Sequence, residues 1–151
     1  MSAIASFHKL SQADLPELVA AADPASGGRF NDVIESSTHD LGHFDWSGYL
    51  MVYLLEYLHR TGVLRDPEFG EAERLLTDAA GVGAYLLTLS SFADMERLDP
   101  AQLPEADIRS FFNTLGVGFS EAGRAARDGV RALAQHLRGL DDDQILLVLV
   151  V

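Results

Sequence analysis

The most distinctive apolar pattern lies at the end of the chain. Residues 145–151 form an uninterrupted apolar run, and a single glutamine separates it from the acidic triplet 141–143. The length of the run and its β-branched residues are typical of a strand that is buried on both faces. The run is much shorter than the roughly 20 apolar residues of a membrane-spanning helix. It therefore predicts a strand over about 144–150 in a chain that otherwise reads as helical.

Helical periodicity is clearest from about residue 46 to residue 60. Apolar side chains recur there at i, i+3 and i+4 and extend almost all the way around the helix, which predicts a central core helix with Asp45 as its N-cap. A capping box at Ser11 predicts a helix to about Ala22. Ser120 is the expected N-cap of the last helix. The other predicted helices cover about 30–37, 66–78, 104–115 and 120–138.

Two further segments are candidate strands. Residues 3–8 read as a short strand and are the natural neighbour of the terminal strand. Residues 84–89 form a second candidate, although a short apolar run also fits a segment of helix. The predicted fold class is therefore α+β: a mostly helical single domain over residues 1–151, with a small sheet built from 3–8, 144–150 and, as the third candidate, 84–89.

Composition narrows the classes of function. The formal net charge is −12, from 23 acidic and 11 basic residues. We expect no nucleic-acid binding, because that needs a basic surface. The charge suits a basic protein partner, and it is also explained if the excess acid only keeps the protein soluble. The chain has no cysteine and begins without a signal-like segment. These features predict a cytoplasmic protein without membrane association.

The segment 39–45 concentrates groups that could bind a metal ion. It holds two imidazoles and two carboxylates, and His39 and His43 would share one face if the segment were helical. Together with Asp40 they could supply three ligands and leave a position open for water. Gly42 and the preceding Ser-Ser-Thr instead favour a loop or a frayed helix end. The alternative is that these residues are ordinary polar loop residues.

Other catalytic patterns are weak. The absence of cysteine excludes a thiolate nucleophile, and no serine lies in a Gly-x-Ser-x-Gly elbow. Glu56 and His59 form one Glu-x-x-His motif on the central helix. The di-iron bundles that use this spacing need two such motifs and two further glutamates. The sequence therefore predicts no cofactor.

Two surfaces are candidates for binding a partner. On the last helix, Arg124, Arg127 and Arg131, continued by Arg138, form a stripe along one face. Guanidinium groups could bind an anionic partner there, or they could pair with the carboxylates of the protein itself. The second surface combines aromatic and acidic residues, and its members are Asp40, Phe44, Asp45, Trp46 and Tyr49. Trp and Tyr are frequent interface anchors, although a Trp at the start of an apolar helix also fits the core.

The order of elements resembles that of the small uncharacterised bacterial proteins of the YfbM-like type. The points of likeness are residues 3–7, Trp46 with the helix that follows it, and residues 144–151. The Met-Gly start of that group is absent here. The resemblance implies an α+β fold of this order. It implies no activity and no site residue, because the group has no established activity to transfer.

These observations lead to two hypotheses from different classes. The first is a non-enzymatic cytoplasmic interaction protein, such as an acidic immunity-like or antitoxin-like protein that binds a basic partner. Its candidate partner-binding residues are Asp40, Asp45, Trp46, Arg124, Arg127 and Arg131. The alternative is a small metal-dependent hydrolase that uses His39, His43 and Asp40. The sequence does not define an oligomeric state.

Overall fold

The terminal apolar run forms the central part of a sheet. A computed structural model describes residues 2–116 and 121–151. Within them, a four-stranded antiparallel sheet has the order β2-β1-β4-β3. The expected pairing of the first strand with the terminal strand is confirmed, and the 84–89 candidate is confirmed as a strand. The bounds are β1 Ala5–Ser11, β2 His39–His43, β3 Gly83–Leu87 and β4 Gln144–Val150.

Helices cover both faces of the sheet, and β4 is apolar at every position after Gln144. Its side chains alternate between two clusters of buried residues, with Leu147 in one cluster and Val148 in the other. Both side chains are fully buried. This explains why the run shows no polar position: each face of β4 packs against a separate layer of helices.

In the described part of the chain, three α-helices pack on each face of the sheet. One layer contains α1, with α2 and α4 on either side of it. The other layer contains α3, α5 and α6, which contact one another. Together with the sheet these helices confirm the α+β, mostly helical class. The bounds are α1 Leu15–Ala22, α2 Phe30–Ser37, α3 Gly48–Arg60, α4 Gly70–Ala80, α5 Glu105–Thr114 and α6 Ala122–Arg138.

The start of the central helix differs from the prediction. Asp45 is not the N-cap, because α3 begins at Gly48 and Ser47 occupies the capping position. The physical reason lies in the backbone: the N–H groups of Phe44 and Gly48 donate to carbonyls of Ala5 and Ala3, each at 2.8 Å. These bonds hold the segment alongside the start of the first strand, so helical geometry begins only at Gly48.

Smaller differences occur at other element ends. Strand β1 begins and ends later than the predicted 3–8. Ser11 does accept a hydrogen bond from the Ala13 N–H, at 3.4 Å, but this caps a short 3₁₀ turn that precedes α1. The predicted N-cap of the last helix, Ser120, lies outside the described residues.

The strand β2 was not predicted. It pairs antiparallel with β1 through an irregular register between Phe7 and His8, and four of its five residues are exposed. An edge strand of this kind buries no continuous face, so it leaves no apolar alternation in the sequence. Its short length and its polar side chains also discourage pairing with another chain.

His8 links β1 to the segment after α2. Its side chain is 8% exposed. Nε2 lies 2.9 Å from Ser6 Oγ and Nδ1 lies 3.3 Å from Thr38 Oγ1. Burial lowers the pKa of His8 below its usual 6.5, and Asp40 opposes this lowering in part. The neutral imidazole is therefore the form that the fold accommodates.

We expect this buried imidazole to make the protein less stable in mild acid. Below about pH 6.5 the unfolded chain takes up a proton that native His8 resists. The contribution of His8 to the free energy of unfolding should therefore decline as the pH falls from 6.5 towards the lowered native pKa. NMR titration of the His8 ring, with urea denaturation at each pH, measures both quantities. A native pKa of 6.5 or higher would contradict the expectation.

Candidate functional site

A cavity of about 310 Å³ lies beside β3, between α3 and α4. A volume of this size is at the lower end of the range for small-molecule pockets. Most of its wall is apolar. Aliphatic residues of α3, the loop after it and β3 contribute to this wall, and they include Val52, Leu55, Leu64, Leu86 and Leu87.

One wall of the cavity is positioned by short backbone pairings between two loops. The Arg65 N–H donates to the Ser91 carbonyl at 2.8 Å, and the Ala93 N–H donates to the Val63 carbonyl at 3.1 Å. These bonds flank an isolated bridge between Leu64 and Phe92. Paired backbone of this kind is held in place by the sheet-like bonds and by the core beneath it. The cavity is therefore bounded on this side by fixed structure.

Glu73 of α4 is the most informative polar residue in the cavity. Its Oε1 accepts a hydrogen bond from the Leu86 N–H at 2.8 Å. Burial raises the pKa of Glu73, and the bond from Leu86 opposes this increase in part. A half-buried carboxyl group with a raised pKa, located in a cavity, is a candidate functional group.

The bond to Glu73 also belongs to a row that closes the free edge of β3. Three outward N–H groups donate in turn to side-chain oxygens: Ala84 donates to Thr77 Oγ1 at 3.0 Å, Leu86 donates to Glu73, and Thr88 donates to Ser91 Oγ at 2.8 Å. Pairing these groups leaves no open ladder for another strand at this part of the edge. The row fixes α4 against the sheet and thereby fixes the position of the Glu73 carboxyl group.

Tyr85 lies next to this carboxyl group on β3. Burial raises the pKa of its hydroxyl to about 12, and the negative charges of Glu73 and Glu56 contribute to the increase. The phenol therefore keeps its proton at neutral pH and can both donate and accept a hydrogen bond. Tyr85, Glu56 and Glu73 all line the cavity. Together they form a group of acceptors with one hydroxyl donor on a mostly apolar wall.

Ion pairs surround the exposed part of the cavity. His59 Nε2 lies 2.7 Å from Asp66 Oδ1, and Arg60 donates to Glu56 Oε1 at 2.8 Å. Arg65 also lines the cavity. The side chains of His59 and Asp66 are 47% and 93% exposed, so their pairing contributes little to stability.

The sequence pattern had drawn attention to only part of this site. The Glu-x-x-His motif formed by Glu56 and His59 is visible in the sequence, and both residues line the cavity. Glu73 and Tyr85 were missed. A signal for Glu73 does exist, because it lies three residues before the fully buried Leu76 and therefore on the inward side of α4.

The predicted metal ligands lie elsewhere, on β2. The segment 39–43 is a strand, which corrects the expectation of a loop or frayed helix end. His39, Asp40 and His43 are all exposed, and Asp40 Oδ1 accepts a hydrogen bond from the Gly42 N–H at 2.8 Å. Within residues 2–116 and 121–151, no three His, Asp or Glu side chains form a group that could hold a metal ion. The hydrolase alternative stays a prediction.

Two of the α6 arginines pair with carboxylates of the protein itself. Arg127 lies 3.8 Å from Glu105, and Arg131 lies 2.9 Å from Asp128. Asp128 also accepts a hydrogen bond from the Trp46 indole at 2.9 Å. The Arg124 guanidinium lies 6.0 Å from the centre of the Trp46 ring. The arrangement brings the two predicted surfaces together, with Asp45 beside Arg131 in a shallow recess.

Charge is distributed unequally between the two helical layers. The exposed charged residues on α1, α2 and α4 form what we call the acidic face, and they are Glu17, Asp32, Glu35, Glu71 and Asp78 with a single arginine, Arg74. The opposite layer carries more arginines than carboxylates. Its charged residues are Glu56, Arg60, Glu105, Asp107, Arg109, Arg124, Arg127, Asp128, Arg131 and Arg138.

The fold and the site therefore define a helix-covered antiparallel sheet with a lateral cavity beside β3 and an acidic face on α1, α2 and α4. A scan of protein-family models and searches of curated proteins and solved structures each found no match. The YfbM-like resemblance accordingly stays a prediction. In the described part of the chain, no helix has both the length and the apolar character needed to cross a membrane.

Proposed function

We propose that this protein is a non-enzymatic cytoplasmic interaction module that binds a basic protein partner through the acidic face. The observation that carries the proposal is the separation of charge between the two helical layers. Acidic residues scattered over the whole surface would need no explanation beyond solubility. Here the helices on one side of the sheet present five exposed carboxylates and one arginine, while those on the other side present more arginines than acids.

The geometry of the acidic face supports this function. Helix α1 contacts both α2 and α4, so the carboxylates lie on one continuous layer. The helices are fixed by a shared apolar cluster that includes Leu18, Ile34 and Leu76. Fixed like charges on one surface create a field that accelerates encounter with an oppositely charged protein and opposes encounter with other acidic proteins. Immunity-like and antitoxin-like proteins that neutralise a basic toxin belong to the class of protein that needs such a field.

The function is tested with two triple variants that have the same net charge. The first variant, Glu17→Lys/Glu35→Lys/Glu71→Lys, reverses three charges on the acidic face. The control, Glu96→Lys/Asp107→Lys/Asp142→Lys, reverses three exposed charges elsewhere. A lysine-rich helical peptide serves as the probe, and its affinity is measured by fluorescence anisotropy in about 0.15 M salt.

We expect the acidic-face variant to bind the peptide at least about tenfold more weakly than the control variant does, because both variants reduce the net charge from −12 to −6 but only the first removes the local field of the acidic face. Equal losses in both variants would show that only total charge matters, which contradicts the proposal. Circular dichroism confirms that both variants are folded before affinities are compared.

A further inference from the structure

The geometry points to the cavity between α3, α4 and β3 as a binding site for a small organic cation, namely a protonated amine attached to a compact apolar body. This site is separate from the acidic face, since it lies at the side of the sheet and uses Glu73, Glu56 and Tyr85. The proposal does not depend on the protein-binding function.

The apolar wall of the cavity indicates that the ligand has an apolar body. Five aliphatic residues line the cavity, and three of them, Leu55, Leu86 and Leu87, are buried almost completely. Removing an apolar group from water against such a wall is favourable in proportion to the area that is buried. A volume of about 310 Å³ accommodates a body the size of one aromatic ring with a short substituent.

The polar groups of the cavity indicate that the ligand also carries an ammonium group. The Leu86 N–H binds Oε1 of Glu73 and holds the carboxyl group in place. A carboxylate has a second oxygen and can accept further bonds through both. Glu56 and the Tyr85 hydroxyl add acceptors close by. An ammonium group has three donors and no acceptor, so it matches this set better than a neutral or anionic group does.

The charges around the cavity agree with a cation. Three carboxylates line it, those of Glu56, Asp66 and Glu73, against the single guanidinium of Arg65 and the imidazole of His59. Glu56 is partly neutralised by Arg60 and Asp66 is paired with His59, both near the exposed side. The carboxyl group of Glu73 lies deeper, where burial disfavours its charge. A bound ammonium would remove this cost and hold Glu73 in its ionised form.

The experiment compares four probes by isothermal titration calorimetry at pH 7.5. They are benzylamine, benzyl alcohol, benzoate and N-acetyl-lysine methylamide, which represents a lysine side chain of a partner. We expect benzylamine to bind at least about tenfold more tightly than each of the others, because only it combines the compact ring with a charge-assisted bond. The variant Glu73→Gln keeps an oxygen acceptor for the Leu86 N–H and should lose most of this preference. The matched control, Glu96→Gln, changes an exposed glutamate outside the cavity and should retain it.

Several outcomes overturn the inference. Equal affinity for benzylamine and benzyl alcohol would show an apolar pocket without charge recognition. The absence of benzylamine binding up to 10 mM, a bound on the order of the weakest specific affinities, would show that the cavity takes no small amine. Equal binding of the lysine derivative would assign the cavity to a protein side chain. A Glu73→Gln variant that still prefers benzylamine would remove Glu73 from the site. Urea denaturation of this variant establishes that any loss of binding comes from the site itself.

Discussion

The variant Leu147→Ala should lower the free energy of unfolding by about 2–5 kcal/mol. Leu147 lies in the middle of β4, paired with His8 of β1 and Leu86 of β3, and its side chain is fully buried. It packs in the cluster that joins the sheet to α1, α2 and α4. Truncation removes apolar contacts and leaves a cavity that backbone pairing on both sides prevents from collapsing. Urea denaturation, followed by circular dichroism, measures the loss.

The matched control for this prediction is Val151→Ala. Val151 follows β4 directly, and its side chain is 53% exposed. Its truncation should change the free energy of unfolding by no more than about 0.5 kcal/mol. A loss below about 1 kcal/mol for Leu147→Ala, or equal losses in the two variants, would show that the terminal strand is not the centre of the sheet.

The pairing of the central strands β1 and β4 could be predicted because a strand that is buried on both faces is apolar at successive positions, and this pattern is visible in the sequence. Every residue from Ile145 to Val150 is buried, so every one is apolar. The edge strand β2 shows no such apolar pattern, because His39, Asp40 and His43 are exposed and only the backbone of β1 holds them in the sheet. The pattern of apolar side chains indicates which residues are buried. It does not indicate a strand that only backbone hydrogen bonds hold in the sheet.

The candidate site was less predictable than the fold because it is assembled from three separate elements. Glu56 and His59 are one helical turn apart, so their spacing is visible in the sequence. Their proximity to Glu73 and Tyr85 follows only once α4 and β3 are docked against α3. The same reasoning applies to Asp128, which binds both Trp46 and Arg131. The arginine stripe was visible, and one alternative given for it, pairing with the protein's own carboxylates, is confirmed for Arg127 and Arg131.

The variant Gly48→Ala should lower the free energy of unfolding by about 1–3 kcal/mol. Gly48 is the first residue of α3, where the helix touches the sheet. A Cβ atom there would lie 2.8 Å from Val150 Cγ1 and 3.0 Å from backbone atoms of both Ala3 and Ala5. Val150 is fully buried and the backbone is held by sheet bonds, so neither neighbour can move away freely. Urea denaturation measures the loss.

The helical glycine Gly123 provides the matched control, because its crowding has a different source. A Cβ atom on Gly123 would lie 2.5 Å from Glu105 Cγ, but Glu105 is exposed and its side chain can turn towards solvent. Gly123→Ala should therefore leave stability unchanged or increase it by up to about 1 kcal/mol through helix propensity. If Gly48→Ala behaved in the same way, α3 would not be fixed by its contact with β1 and β4. Since α3 supplies Val52, Leu55 and Glu56 to the cavity, its displacement should also weaken benzylamine binding, which calorimetry on Gly48→Ala would detect.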